Sequence, residues 1–204
     1  MRSSPVLLVL LISLTSCRPE HRSWTHSGLS GPEIRPPLPK PDLILTGTDG
    51  HRFDLRRETE GFVTLLFFGY TRCPDLCPVQ MANIAQAMKR IDPALAARIR
   101  VVFVTVDPRR DTPPVLRAWL DHFDSRFIGL TGDSASIAYA LTQLRLQHPE
   151  PPRAVDSSSN SSYTINHTVL VLAFTRDDLA HLAYPTGIRV DEWARDLALL
   201  AKED

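Results

Sequence analysis

The chain is short of cysteine, of net charge and of long apolar runs, and each shortage closes off a class of answer. Three cysteines in 204 residues are too few for the disulfide framework that staples small secreted domains. They also fall in two separate places, with Cys17 alone and Cys73 and Cys77 as a close pair. Lys plus Arg number 23, as do Asp plus Glu, so no overall field draws in nucleic acid, and nucleic-acid binding is not expected. The N-terminal apolar stretch from Val6 to Leu14 stops well short of the roughly 20 residues that cross a bilayer. Hydrophobic residues still make up 43% of the chain, which suits one domain with a sizeable core.

Arg2 ahead of that stretch has the layout of an export signal. Leu14-Thr15-Ser16-Cys17 resembles the lipobox of bacterial lipoproteins, in which cleavage before the cysteine is followed by its lipidation. The resemblance implies a lipoprotein signal peptide over residues 1–16 and a lipid anchor at Cys17, on the periplasmic side of a bacterial membrane. Read as an ordinary secretory signal, the same segment leaves Cys17 incidental, and the protein is exported either way. Residues 17–41 read as a tether, because Pro32, Pro36, Pro37, Pro39 and Pro41 oppose helix and ladder pairing and favour extended polyproline geometry. The folded domain is expected over residues 42–204.

Within that domain two kinds of apolar pattern alternate. Leu43-Ile44-Leu45 and His51 to Leu55 flank a turn rich in glycine and aspartate and predict two short strands. Phe62 to Phe68 and Val101 to Val106 are near-continuous apolar runs, the mark of parallel strands buried on both faces. Met81, Ile84, Ala85, Met88 and Ile91 recur at helical spacing between them, which completes a βαβ unit. Further helices are expected from Thr112-Pro113, after Asp133 and from Asp191, with strands near residues 127–130, 168–174 and 179–184. Residues 149–162, with three prolines and five serines, predict an exposed loop or hairpin. The expected class is α/β, a mixed central sheet with helices on both faces, in the element order of thioredoxin-like folds.

The cysteine pair follows directly on a predicted central strand, where α/β sheets present their functional loops. Helix-start N–H groups beside both sulfurs favour thiolate over thiol. If Cys77 caps the helix and Pro78 is its first residue, Cys73 lies in the loop before it. A structural disulfide this local would stabilise little. Zinc lacks a fourth ligand of clear spacing. A redox dithiol and a soft-metal site both remain open on the residues alone.

Three blocks in order, Phe68-Gly69-Tyr70-Thr71-Arg72-Cys73-Pro74-Asp75-Leu76-Cys77-Pro78, Val106-Asp107-Pro108-Arg109-Arg110-Asp111-Thr112-Pro113 and Tyr163-Thr164-Ile165-Asn166-His167-Thr168, resemble the signature blocks of the Sco/SenC family. The similarity spans roughly residues 40 to 204. It implies a thioredoxin-like copper protein that assists assembly of cytochrome c oxidase, especially its copper A centre, with ligands at Cys73, Cys77 and His167. Two soft thiolates and one imidazole suit copper, as Cu(I) or Cu(II), where hard cations want oxygen. His167-Thr168 occupies the place where thioredoxin-like exchange enzymes carry a cis-proline followed by threonine, so a donor nitrogen faces the dithiol.

In the second block Asp107-Pro108 reads as a turn and Asp111-Thr112-Pro113 as a helix start. Asp107 is also a candidate for outer hydrogen bonds to the site, together with Asn166, where many family members carry aspartate. The resemblance implies as partners the oxidase subunit with the copper A site, a copper donor protein or thiol reductant, and a membrane through the lipid anchor. Enzymatic activity is not expected, unless Cys73 and Cys77 act as a thiol-disulfide reductase that keeps the oxidase cysteines reduced. A third reading is a copper or redox sensor signalling through residues 149–162.

Overall fold

The computed structural model describes residues 28–149, 153–154 and 163–202. The signal segment, Cys17, the first part of the tether and most of the 149–162 segment lie outside them. Ten strands and six helices follow in chain order: β1 (Glu33–Pro39), β2 (Ile44–Gly47), β3 (Arg52–Asp54), α1 (Leu55–Glu58), β4 (Val63–Gly69), α2 (Leu76–Arg90), α3 (Pro93–Ala96), β5 (Ile99–Thr105), α4 (Pro113–Asp121), β6 (Ile128–Thr131), α5 (Ser134–Gln143), β7 (Arg153–Ala154), β8 (Tyr163–Thr164), β9 (Leu170–Phe174), β10 (Leu179–Pro185) and α6 (Val190–Leu200). No helix among the described residues is long and apolar enough to cross a membrane.

Eight strands form one mixed sheet in the order β1-β10-β9-β4-β5-β6-β2-β3. The βαβ unit read from the apolar runs is its centre, with β4, β5 and β6 parallel and β9 antiparallel on the other side of β4. Alternation along the strands divides the core in two. Val63, Leu65 and Phe67 of β4, with Val101 and Phe103 of β5, pack under α2, α3, α4 and α6. Leu66 and Phe68, with Val102 and Val104, pack under α1 and α5 on the opposite face. Helices therefore cover both faces, as the pattern required.

The proline-rich segment departs from its expected role. Residues 33–39 are not tether but the edge strand β1, antiparallel to β10, with a register shift between Glu33 and Leu38. Pro36 and Pro37 fall within that irregular stretch, and an edge strand leaves its outer N–H groups unpaired in any case, so prolines cost little there. The domain boundary consequently lies before residue 33. A buried ion pair fixes the far end of this strand. Lys40, also assigned to the tether from the sequence, is buried; its Nζ meets Asp178 Oδ1 at 2.5 Å and donates to Thr59 Oγ1 at 3.0 Å.

The buried ammonium of Lys40 has no water to replace a lost partner. Asp178→Asn keeps a residue that tolerates the left-handed backbone at this position (φ 60) and removes only the charge. Urea unfolding is expected to show a loss of about 2 kcal/mol, less than the roughly 3–5 kcal/mol for breaking a fully buried pair, because Asp178 keeps partial solvent contact. A change below about 0.5 kcal/mol would mean that the pair is not what holds β1 in place.

Candidate metal centre

Three segments meet at the C-terminal end of β4. Tyr70 to Asp75 is the loop between β4 and α2, and α2 starts at Leu76 with Asp75 as its flanking residue. Cys77 is thus the second helical residue and not the cap, and Pro78 takes the third position, where the first-turn N–H groups need no helical partner. The third segment, residues 165–169, is irregular chain leading into β9. Cys73 Sγ, Cys77 Sγ and a His167 ring nitrogen all lie within 4.8 Å of one another, the one such cluster of three metal-capable side chains among the described residues.

Each donor is held differently. Cys77 is buried at the top of the core, and a β-carbon on Gly69 would lie 2.9 Å from its sulfur and 2.9 Å from the Phe103 ring. Only glycine leaves room for that sulfur. Cys73 is partly exposed, packs against both halves of the core and accepts the Cys77 N–H at 3.5 Å. His167 presents Nε2 to Cys77 Sγ at 3.4 Å, while its Nδ1 lies 3.1 Å from the Ile165 carbonyl. A carbonyl only accepts, so Nδ1 carries the proton and the Nε2 lone pair faces the sulfurs.

The two thiols are unequal. The hydrogen bond from Cys77 holds the Cys73 pKa down to about 5 against the cost of burial, aided by the N–H groups of Cys77 and Asp75. Cys77 is pushed strongly upward, first by its bond with Cys73 and then by burial. The pair therefore shares one proton, kept on the inner sulfur. Two sulfurs and a nitrogen around a common point fit a soft ion: bonds of about 2.0–2.3 Å to these donor types put the donors roughly 3.5–4 Å apart, close to the spacing seen.

Asp107 is buried and ion-paired with Arg110, and Asn166 is exposed. His167 has two further neighbours. The Ile165 carbonyl fixes its tautomer, and Tyr70 packs edge-on against the ring with centroids 5.3 Å apart. Tyr70 Oη also accepts the Ile165 N–H at 3.3 Å. Thr112 precedes α4 with Pro113 as its first residue, as the sequence indicated, and the wholly buried Asp111 carboxylate beside it is turned to Thr71 and Thr105. Tyr70 and Asp111 both stood in the sequence blocks, but nothing in their spacing marked them as supports of the site.

Cys73 should behave as a thiolate across neutral pH in the reduced, metal-free protein. Its folded pKa of about 5 keeps its alkylation rate with iodoacetamide nearly flat from about pH 6.5 to 8, whereas an ordinary thiol with pKa about 8.5 speeds up nearly tenfold per pH unit until it nears that value. Mass spectrometry should find the label on Cys73 before Cys77. Equal labelling, or a rate that climbs through pH 8, would contradict the asymmetry.

Residues 38–202 match the SCO1/SenC family model. A SCO2-like protein of Rickettsia felis is 32% identical over 127 residues, which are 62% of this chain and 60% of that protein. The mitochondrial SCO2 homolog of Bos taurus is 29% identical over 146 residues, 71% of this chain and 50% of that protein. The chain thus spans about half to three fifths of the length of these curated relatives. Among solved structures, copper-bound ScoI of Bradyrhizobium japonicum aligns with a TM-score of 0.67 at 31% identity, over 80% of this chain and 99% of that one. Copper-bound yeast Sco1 aligns with a TM-score of 0.72 at 22% identity, over 83% of this chain and 91% of that one, and shares the fold. The mixed sheet is therefore the thioredoxin-like fold expected from the sequence. With the three blocks gathered around one site and the match running from β1 to the end of α6, the chain belongs to the SCO1/SenC family.

Proposed function

We propose that this protein carries one copper ion outside the cytoplasm on Cys73, Cys77 and His167 and delivers it to the cytochrome c oxidase subunit that holds the copper A centre. The observation that carries the reading is the gathering of two sulfurs and an imidazole nitrogen within 4.8 Å, on a fold shared with copper-bound family members. A further structural relative is described as a member of the Sco family of cytochrome c oxidase assembly proteins. Thiolate and imidazole donors select copper over hard cations. Three ligands leave a side open, and Cys73 and His167 are both only partly buried, so an acceptor's thiolate or imidazole can enter there and replace ligands one at a time.

The membrane reading gains support from topology. β1 runs antiparallel to β10 and Glu33 pairs with Leu182, while β10 runs in the same sense as β4. The chain before β1 therefore leaves the domain at the end of the sheet that bears the thiols. Ser30 is tacked to the middle of α6, its N–H donating to Asp196 Oδ2 at 2.7 Å. Cys17, lipidated, would hold this end toward the bilayer, since the dozen or so residues up to Gly28 span at most roughly 40 Å. A membrane-bound acceptor with an extracytoplasmic copper site lies within such a reach.

The thiol-reductase reading has its own observation, a thiolate at Cys73 backed by a protonated partner thiol at Cys77, the division of labour used in disulfide exchange. His167 separates the two accounts, because exchange needs no third donor. His167→Ala is expected to keep the copper-free protein folded and to weaken Cu(II) binding by at least about 100-fold, beyond the usual cost of losing an outer-shell partner. Stoichiometry near one copper per chain, measured by metal analysis with visible spectroscopy, should collapse in that variant. Unchanged copper affinity would sink the three-ligand site, and disulfide turnover by metal-free protein that alone sustains oxidase assembly would favour the reductase. Cys17→Ser is expected to move the protein from the membrane to the soluble extracytoplasmic fraction; continued membrane association would rule out lipid anchoring at this residue.

A further inference from the structure

Asp111 is wholly buried, and its carboxylate receives three donors. Oδ2 accepts the Thr71 N–H at 2.9 Å and the Thr105 hydroxyl at 2.6 Å, and Oδ1 accepts the Thr71 hydroxyl at 2.6 Å. These bonds join the loop before α4 to the end of β5 and to the loop that leads into Cys73. Thr71 stands next to Tyr70, whose hydroxyl receives the Ile165 N–H, and Ile165 in turn orients His167. The carboxylate thus anchors the loop that carries Cys73, and the adjacent Tyr70 links that loop to the segment that carries His167.

Its charge also lies close to the sulfurs. Thr105 pairs with Gly69 in parallel register, so their side-chain directions share a face, and the Gly69 position on that face abuts Cys77 Sγ. Neighbouring strands are about 4.8 Å apart, which places the Thr105 hydroxyl, and the carboxylate bonded to it, roughly 5–9 Å from the sulfur. The Asp111 charge is felt at Cys77, where it adds to the larger effects of the Cys73 bond and burial. Two thiolates and a neutral imidazole leave Cu(I) with a net charge of about −1 and Cu(II) near neutral, so a fixed negative charge nearby favours the more positive ion.

On the copper reading above, we propose that Asp111 is a positioning residue of the site: it holds the Cys73 loop through Thr71, and its buried charge favours Cu(II) over Cu(I). Two variants separate the two effects. Asp111→Asn keeps the shape and removes the charge, whereas Thr71→Val keeps the charge and cuts the tie. In the full chain purified in detergent, Cu(I) and Cu(II) affinities are measured by chelator competition, alongside denaturant unfolding of the metal-free protein. Asp111→Asn is expected to lower the ratio of Cu(II) to Cu(I) affinity about tenfold, a readout that a merely structural role would not move. Thr71→Val is expected to weaken both ions about tenfold with the ratio unchanged. An Asp111→Asn protein that unfolds cooperatively and keeps the wild-type ratio overturns the electrostatic half, and wild-type affinities in Thr71→Val overturn the positioning half. Should Asp111→Asn not fold, wild-type copper binding in both Thr71→Val and Thr105→Val overturns the positioning half, and a wild-type ratio of Cu(II) to Cu(I) affinity in Asp111→Ser overturns the electrostatic half. Failure of the copper reading itself looks different: the wild-type chain would then take up no copper at all.

Discussion

The sulfur of Cys77 occupies the space that a side chain on Gly69 would fill, and the organisation of the site follows from that contact. A helix can bring its first turn this close to a strand only where the strand lacks a β-carbon. Interiors packed to crystal density then leave the sulfur a single place to sit, between the end of β4 and the Phe103 ring. Because Cys77 is sealed under α2, Cys73 in the preceding loop is left as the outer thiol. The chemical inequality of the pair is a result of packing before it is a result of any charge.

That inequality sets what a metal must do to enter. The inner thiol holds its proton in the metal-free protein, while the outer one is already a thiolate at neutral pH. Binding through both sulfurs must expel the proton from Cys77, so affinity for a soft ion weakens as pH falls, each proton being a competitor for the same lone pair. The same arrangement suits disulfide exchange, in which the exposed thiolate attacks and the buried thiol resolves. Cysteine geometry alone does not choose between these uses. The imidazole supports the proposed metal use, because it adds a nitrogen donor beside the sulfurs.

Local signals made the centre of the fold legible and left its edges obscure. The apolar runs of β4 and β5 and the 3.6-residue periodicity of α2 are strong enough to be read without tertiary context, and the cysteine pair announced itself by position. The strand β1 did not, because prolines argue against ladder pairing everywhere except at an edge, and no local pattern says that a segment will be an edge. Lys40 looked like a solvated tether residue, since only the long-range approach of Asp178 and Thr59 makes its burial tolerable. Asp111 was read as a helix start because Asp-Thr-Pro is a good one. Its hydrogen bonds run to Thr71, forty positions away, and are written nowhere in the local sequence. Asp107 and Asn166 were placed near the site by the motif, and the fold pairs one with Arg110 and exposes the other.

The spacing of the three donors along the chain has a thermodynamic consequence. Cys73 and Cys77 are four residues apart and remain neighbours in an unfolded chain, where the pair can still bind a soft ion. His167 lies ninety positions from Cys77 and joins them only when β4, β9 and the Tyr70 contact have formed. On the proposed three-donor site, copper would therefore stabilise the native state by the difference between three-donor and two-donor binding, and not by its whole affinity, because binding to the unfolded chain subtracts from the gain. What the fold adds to a local dithiol is the histidine, held by the Ile165 carbonyl on one side and Tyr70 on the other.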